Sequence, residues 1–278
     1  MVALTAIHDD GGAPNTQLHL YYNNQNKNLG LQFRNELGSY LASTKFNNQE
    51  LIFGVTEKPS FAINAQKDCR DPGILVPVDI ALVSPVYKTV ASAFSDNYKI
   101  AACSSDSNTW IFYLKKNDEG ALNIFEAVIG VGNDDSYPQT TTILPGSALA
   151  AYYDSTNDTR YIIYQGQSKN SLREYVFDQG DSPIDSAKGV APKSTFGVAV
   201  TETTVYLYYI DTNNDLNKVT KPLGGSKWSP PVTVTAAKSE IATDSQLTVS
   251  TADGKNHIFY QAKGQSPNVG YYHVIDNQ

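Results

Sequence analysis

Arg160–Asp178 reads RYIIYQGQSKNSLREYVFD, and the reading of this stretch decides the fold. Tyr161, Ile162, Ile163 and Tyr164 are β-branched or aromatic, a polar Gly-containing loop follows, and Leu172–Phe177 alternates again. A helix would need an apolar period of about 3.6 residues, so the pattern predicts two strands joined by a loop. Immediately upstream, SALAAYYDSTND (Ser147–Asp158) adds a strand of small residues and a polar turn.

The same order of small strand, turn and aromatic strand recurs along the chain. It appears in YKIAACSSDSNTWIFYL from Tyr98, TFGVAVTETTVYLYYI from Thr195 and SQLTVSTADGKNHIFYQ from Ser245. VALTAIHDDGGAPNTQLHLYYN from Val2 is a further copy, and LIFGVTEKPSFAINAQ from Leu51 a degenerate one. Aligned on the first strand, the copies start at Leu4, Phe53, Ile100, Leu149, Phe196 and Leu247. A third strand follows each hairpin (LNIFEAV from Leu122, LREYVFD from Leu172), and a fourth is clearest in KWSPPVTV, Lys227–Val234.

Four short strands every ~45–50 residues mark a propeller blade. A blade has two faces to cover, and only neighbouring blades can cover them, so the copies should close into one ring. The expected fold is all-β, a six-bladed β-propeller with mostly four short antiparallel strands per blade. It forms a single domain over 1–278, with repeats beginning near 1, 50, 97, 146, 193 and 244. The innermost strands converge, which explains their small residues: Ala101-Ala102, Ala150-Ala151, Gly197 and Thr248.

Composition narrows the partners. A formal charge of −7 offers no basic face to a nucleic-acid backbone. Apolar runs such as PGILVPVDIALV are too short and interrupted to span a bilayer as a helix. No secretory apolar segment opens the chain, although a mature form placed behind a new Met would read the same way. Cys69 and Cys103 are the two cysteines; they lack metal or redox spacing and are read as a disulfide or as two buried thiols. A disulfide would place the chain in the secretory pathway or outside the cell rather than in the cytoplasm. Asn157 opens an NDT glycosylation sequon.

Other chemistries fall away. SSDSNTW (Ser104–Trp110) resembles a sialidase Asp box one residue short, but the chain has only Arg34, Arg70, Arg160 and Arg173, too few for the arginine cluster such an enzyme needs. The acidic pairs at Asp134-Asp135 and Asp181/Asp185 read as outer loops rather than glycosidase carboxylates. His8, His19, His257 and His273 show no metal-ligand spacing, so no metal or cofactor is expected.

The YIIYQ…LREYVFD and WSPPVTV motifs resemble the fungal fucose-specific lectins, six-bladed propellers with sugar sites between blades. The resemblance implies an Arg on each second strand and a Glu or Gln on each third, gripping sugar hydroxyls beside an aromatic ring. At the implied Arg positions this sequence has His19, Ala62, Trp110, Tyr161, Tyr206 and His257; at the Glu positions it has Leu31, Ile124, Glu174, Lys218 and Tyr271. Only Glu174 matches.

Two functions follow. The chain also resembles the fungal hetero-Diels–Alderases of tropolone sesquiterpenoid biosynthesis, which implies a cofactor-independent cycloaddition between a tropolone quinone methide and a macrocyclic terpene such as humulene. Such a reaction needs positioning, water exclusion and a hydrogen-bond donor at the heterodiene carbonyl. Under that reading His19, His257 and Tyr206 are catalytic, and Trp110, Tyr161 and Glu174 bind a flat, apolar natural product. The other reading is a divergent lectin for a fucose-type sugar, without catalysis, centred on Glu174. In either case the aromatics of the second strands can instead serve to pack blades together, and a homodimer is one allowed state of assembly.

Overall fold

The computed structural model describes residues 4–8, 18–22, 41–57, 77–94, 99–129, 134–137, 142–237, 240–242, 245–264 and 271–277. These residues form six antiparallel sheets. The first is a hairpin of β1 (Leu4–His8) and β2 (Leu18–Tyr22), and the second contains β3 (Leu41–Phe46), β4 (Gln49–Glu57), β5 (Pro77–Ser84) and β6 (Lys88–Phe94). The third has β7 (Ile100–Ser104), β8 (Thr109–Lys116), β9 (Leu122–Val128) and β10 (Asp134–Tyr137). The fourth has β11 (Leu149–Asp154), β12 (Thr159–Gln165), β13 (Leu172–Val176) and β14 (Gly180–Pro183). The fifth has β15 (Phe196–Val200), β16 (Thr204–Ile210), β17 (Leu216–Pro222) and β18 (Val232–Thr233). The sixth has β19 (Thr248–Ala252), β20 (Lys255–Tyr260) and β21 (Tyr272–Asn277).

The sheets are propeller blades, but five of them, not six, have three or more strands among the described residues. The two-stranded β1–β2 hairpin stands where a sixth blade was expected. The innermost strands follow one another around an axis: β1 beside β3, then β7, β11, β15 and β19, which returns to β1. Thr5 and Ser43 hydroxyls share a 2.6 Å hydrogen bond across the first and second sheets, and Gln246 Nε2 donates to the Leu41 carbonyl at 2.6 Å. A narrow axial channel of ≈ 100 Å³ runs between these strands, lined in part by Ala101, Ala102, Ala150, Ala151, Gly197 and Thr248. The small residues are therefore at the axis, where side-chain volume has no room.

Copy two departs from the sequence alignment. Phe53 lies on the second strand, β4, opposite Ala42, and the first strand is β3. The missed signal is Asn47-Asn48, both at positive φ (49° and 60°) in the β3–β4 turn, a primed two-residue hairpin that Asn accommodates. Asp253-Gly254 does the same between β19 and β20.

Between sheets the core is apolar and aromatic. Tyr113, Tyr164, Tyr209 and Tyr260 occupy matching places on their second strands and are fully buried. Burying a large apolar side chain contributes roughly 1.5–3 kcal/mol, and here it fastens one sheet to the next rather than filling a sheet's own interior.

Candidate functional site

Strand alternation sends successive side chains of a blade to opposite neighbours. On β12, Tyr161 and Ile163 pack toward the fifth sheet, while Ile162 and Tyr164 pack toward the third. Each inter-blade space thus receives side chains from two sheets.

The space between the third and fourth sheets opens into a groove of ≈ 630 Å³ at the end where first-to-second-strand turns meet. Its walls include the Ser104–Asn108 turn, Trp110, Tyr153, Asp158, Arg160 and Lys45 of the second sheet. The turns are held by their own side chains: Ser105 Oγ accepts from the backbone N–H groups of Ser107 and Asn108, each at 3.1 Å. Tyr153 is half-buried, stacks on Trp110 with centroids 5.8 Å apart, and donates its hydroxyl proton to Asp158. That bond, with some burial, pushes the Tyr153 phenol up to about 12.

Arg160 forms the floor. Its guanidinium lies 5.0 Å from the Trp110 ring and 4.1 Å from Phe177, and its Nη2 donates to Glu126 Oε1 at 2.9 Å. Burial works against this charge, and the bonds to Glu126 outweigh it, so the Arg160 pKa is raised. Glu126, on β9, is buried opposite Phe112, as Glu174 lies opposite Ile163 on β13. The third copy therefore keeps the Glu assigned by sequence to Ile124. In the sixth copy the matching place, opposite Phe259, is His273 rather than Tyr271.

Glu174 lies in the next space, and it is closed. Its carboxylate is buried, accepts from Tyr152 Oη at 2.6 Å and from Lys221 Nζ at 2.9 Å, and Lys221 itself is 2% exposed. Tyr161 stacks on Tyr152 at 4.8 Å with a 6° tilt, and the Lys221 ammonium lies 4.4 Å from the Tyr161 ring and 5.1 Å from Trp228. Burial, and then the Glu174 charge, push the Tyr152 phenol far above its ordinary value. Lys221 closes this space, and Glu174 and Tyr161 are part of the contacts between the fourth and fifth sheets.

Tyr206 is buried one space further on, between the fifth and sixth sheets. Beside it Lys218 Nζ pairs with Asp276 at 2.5 Å and Tyr208 Oη donates to Asp276 at 2.7 Å. His257 shares a 2.9 Å hydrogen bond with His273, which stacks on Phe259 with centroids 4.5 Å apart. Burial, with His257 adding to it, lowers the His273 pKa. His19 pairs with Ile7 in the first hairpin. Trp110, Tyr161 and Tyr206 thus belong to three successive spaces, and of the expected site residues whose side chains are described only Trp110 lines the open groove. Arg160, Tyr153 and Glu126 were missed; the alternation of β12 was the available signal for Arg160.

Cys103 is a buried free thiol whose pKa burial pushes far up; Cys69, its expected disulfide partner, lies outside the described residues, as do Ala62 and Leu31. No group of three metal-ligating side chains occurs among the described residues, and none of their helices is long and apolar enough to cross a membrane.

No known protein-family profile matches the chain. A wall-associated proteinase of Coccidioides immitis is 26% identical over 210 residues, 67% of this chain and 66% of the relative. The protein of the same name from Coccidioides posadasii is 28% identical over 160 residues, 50% of each chain. The chain thus spans between half and two thirds of the length of these curated relatives. Among solved structures, the fucose-specific lectin from Aleuria aurantia aligns with TM-score 0.61 at 14% identity over 99% of this chain and 95% of the lectin. AofleA from Arthrobotrys oligospora gives TM-score 0.61 at 11% identity over 99% and 82%. SapL1 lectin, solved with α-methyl fucoside, gives 0.59 at 13% identity over 90% and 83%. The fold is that of the fungal fucose-specific lectins.

Proposed function

We propose that the chain is a carbohydrate-binding propeller that uses the groove between its third and fourth sheets. The observation that carries this reading is the groove itself, where the Tyr153–Trp110 stack adjoins hydroxyl, amide and charged side chains in ≈ 630 Å³. Sugars need both features. Their C–H faces gain from an aromatic surface, and their hydroxyls are costly to desolvate unless polar partners replace water. The fold of the Aleuria aurantia and Arthrobotrys oligospora proteins supports it, while the residues that would bind differ from the implied Arg/Glu clamp. The ring is one domain over 1–278, and the β1–β2 hairpin is the inner half of a sixth blade. The wall-associated relatives favour a place in the cell wall or outside the cell.

The cycloaddition reading requires Trp110, Tyr161 and Tyr206 around one ligand, and each faces a different neighbouring space. We therefore retain the lectin reading without catalysis.

The test is a glycan panel followed by calorimetry. One class of glycan should bind at one site per chain, and Tyr153→Ala should weaken it at least tenfold, about 1.4 kcal/mol, with little change in stability. Binding unaffected by Tyr153→Ala would remove the groove from the proposal, and a panel without any bound glycan would remove the lectin reading.

A further inference from the structure

The charges around the groove specify a kind of sugar. Four charged side chains line it: Lys45, Asp106, Asp158 and Arg160. Arg160 is neutralised from beneath by buried Glu126, which leaves two carboxylates against one ammonium. Asp106 and Asp158 are exposed at the tips of the two turns that frame the groove. Neither is in an ion pair with a described residue. Asp158 Oδ1 already accepts the Tyr153 hydroxyl, so that carboxylate is held at the edge of the aromatic ring.

A ring face with a carboxylate fixed at its edge is suited to a ligand that carries a cation on an otherwise apolar surface. The Tyr153 face then stacks on the apolar face of the ligand, while the Asp158 carboxylate at the ring edge attracts the positive group beside it. An acidic sugar would meet both carboxylates with like charge, and a neutral sugar would offer them hydroxyl donors but no opposite charge. Resting on the lectin reading above, we propose that the groove selects amino sugars with a free, protonated amine, the ammonium lying between Asp158 and Asp106 and the sugar ring on Tyr153. Asp158 sits at φ 48°, a conformation that Asn tolerates as well as Asp, so its charge can be removed without disturbing the turn.

The experiment is calorimetry on the full chain with a β-1,4-linked glucosamine tetramer, its fully N-acetylated counterpart and L-fucose. The expected result is at least tenfold tighter binding of the free-amine tetramer than of the acetylated one. Asp158→Asn and Asp106→Asn should each reduce that preference, and added salt should weaken binding. Equal or tighter binding of the acetylated tetramer or of fucose overturns the amino-sugar assignment and leaves the lectin reading standing. Free-amine binding that neither Asn variant changes also overturns it, because attraction to the net-negative chain as a whole would then suffice. If none of the three binds while another glycan of the panel does, the assignment falls alone; if no glycan binds, both fall.

Discussion

At the scale of single residues, three consecutive inter-blade spaces repeat one device: a carboxylate, a cation from the facing sheet and a tyrosine hydroxyl. Glu174, Lys221 and Tyr152 form one; Asp276, Lys218 and Tyr208 form another. In the third, Arg160 binds Glu126, and Tyr137 Oη donates to Glu126 Oε1 at 3.3 Å. The middle one is the driest. Removing one partner of a buried pair leaves a charge without compensation, at a cost of about 3–5 kcal/mol. Lys221→Met should therefore destabilise strongly in urea titrations, and adding Glu174→Gln should recover much of the loss. A loss under ~1 kcal/mol for the single variant would put the pair among solvent-screened surface bridges and contradict the closed reading of this space.

At the scale of strands, tight approach near the axis has a single best test. A Cβ on Gly197 of β15 would meet the Leu247 side chain at 3.0 Å, the Leu247 carbonyl at 3.1 Å and Val249 of β19 at 3.1 Å. The carbonyl belongs to the backbone and cannot swing away, so Gly197→Ala should cost about 1–3 kcal/mol by overpacking, read as a lowered Tm. An unchanged Tm would mean that β15 and β19 can separate freely. The need for small residues here was legible from the sequence, because convergence of blades follows from the repeat alone. Register was less legible. Ile124 stood in for Glu126 and Tyr271 for His273, each off by two places. A slip of two keeps every side chain on its original face, so alternation raises no objection; only a slip of one inverts the pattern. Cross-strand pairing, opposite Phe112 and Phe259, resolves both. For the same reason the surviving carboxylates were undercounted, and the ion pair that forms the groove floor joins residues from different blades, which no single repeat displays.

At the scale of the whole molecule, the fastening between blades is largely phenolic. Burial raises the pKa of Tyr152, Tyr161, Tyr164, Tyr175, Tyr208 and Tyr209, and neighbouring carboxylates raise several further. In the unfolded chain these phenols ionise near pH 10. Above that pH the folded state holds more protons than the unfolded one, so stability falls as pH rises. Below about pH 10 the contribution is complete. The tyrosines lie in several adjoining spaces, so the losses should combine into one cooperative alkaline transition of the ring rather than fraying of a single blade. The part of the tyrosinate absorbance that comes from the buried phenols should appear in one step together with the loss of circular dichroism above about pH 10, because those phenols ionise only as the sheets separate. Ionisation of all tyrosines near pH 10 with the fold intact would mean that the inter-blade spaces admit hydroxide, and the phenols would then not be what holds the blades together.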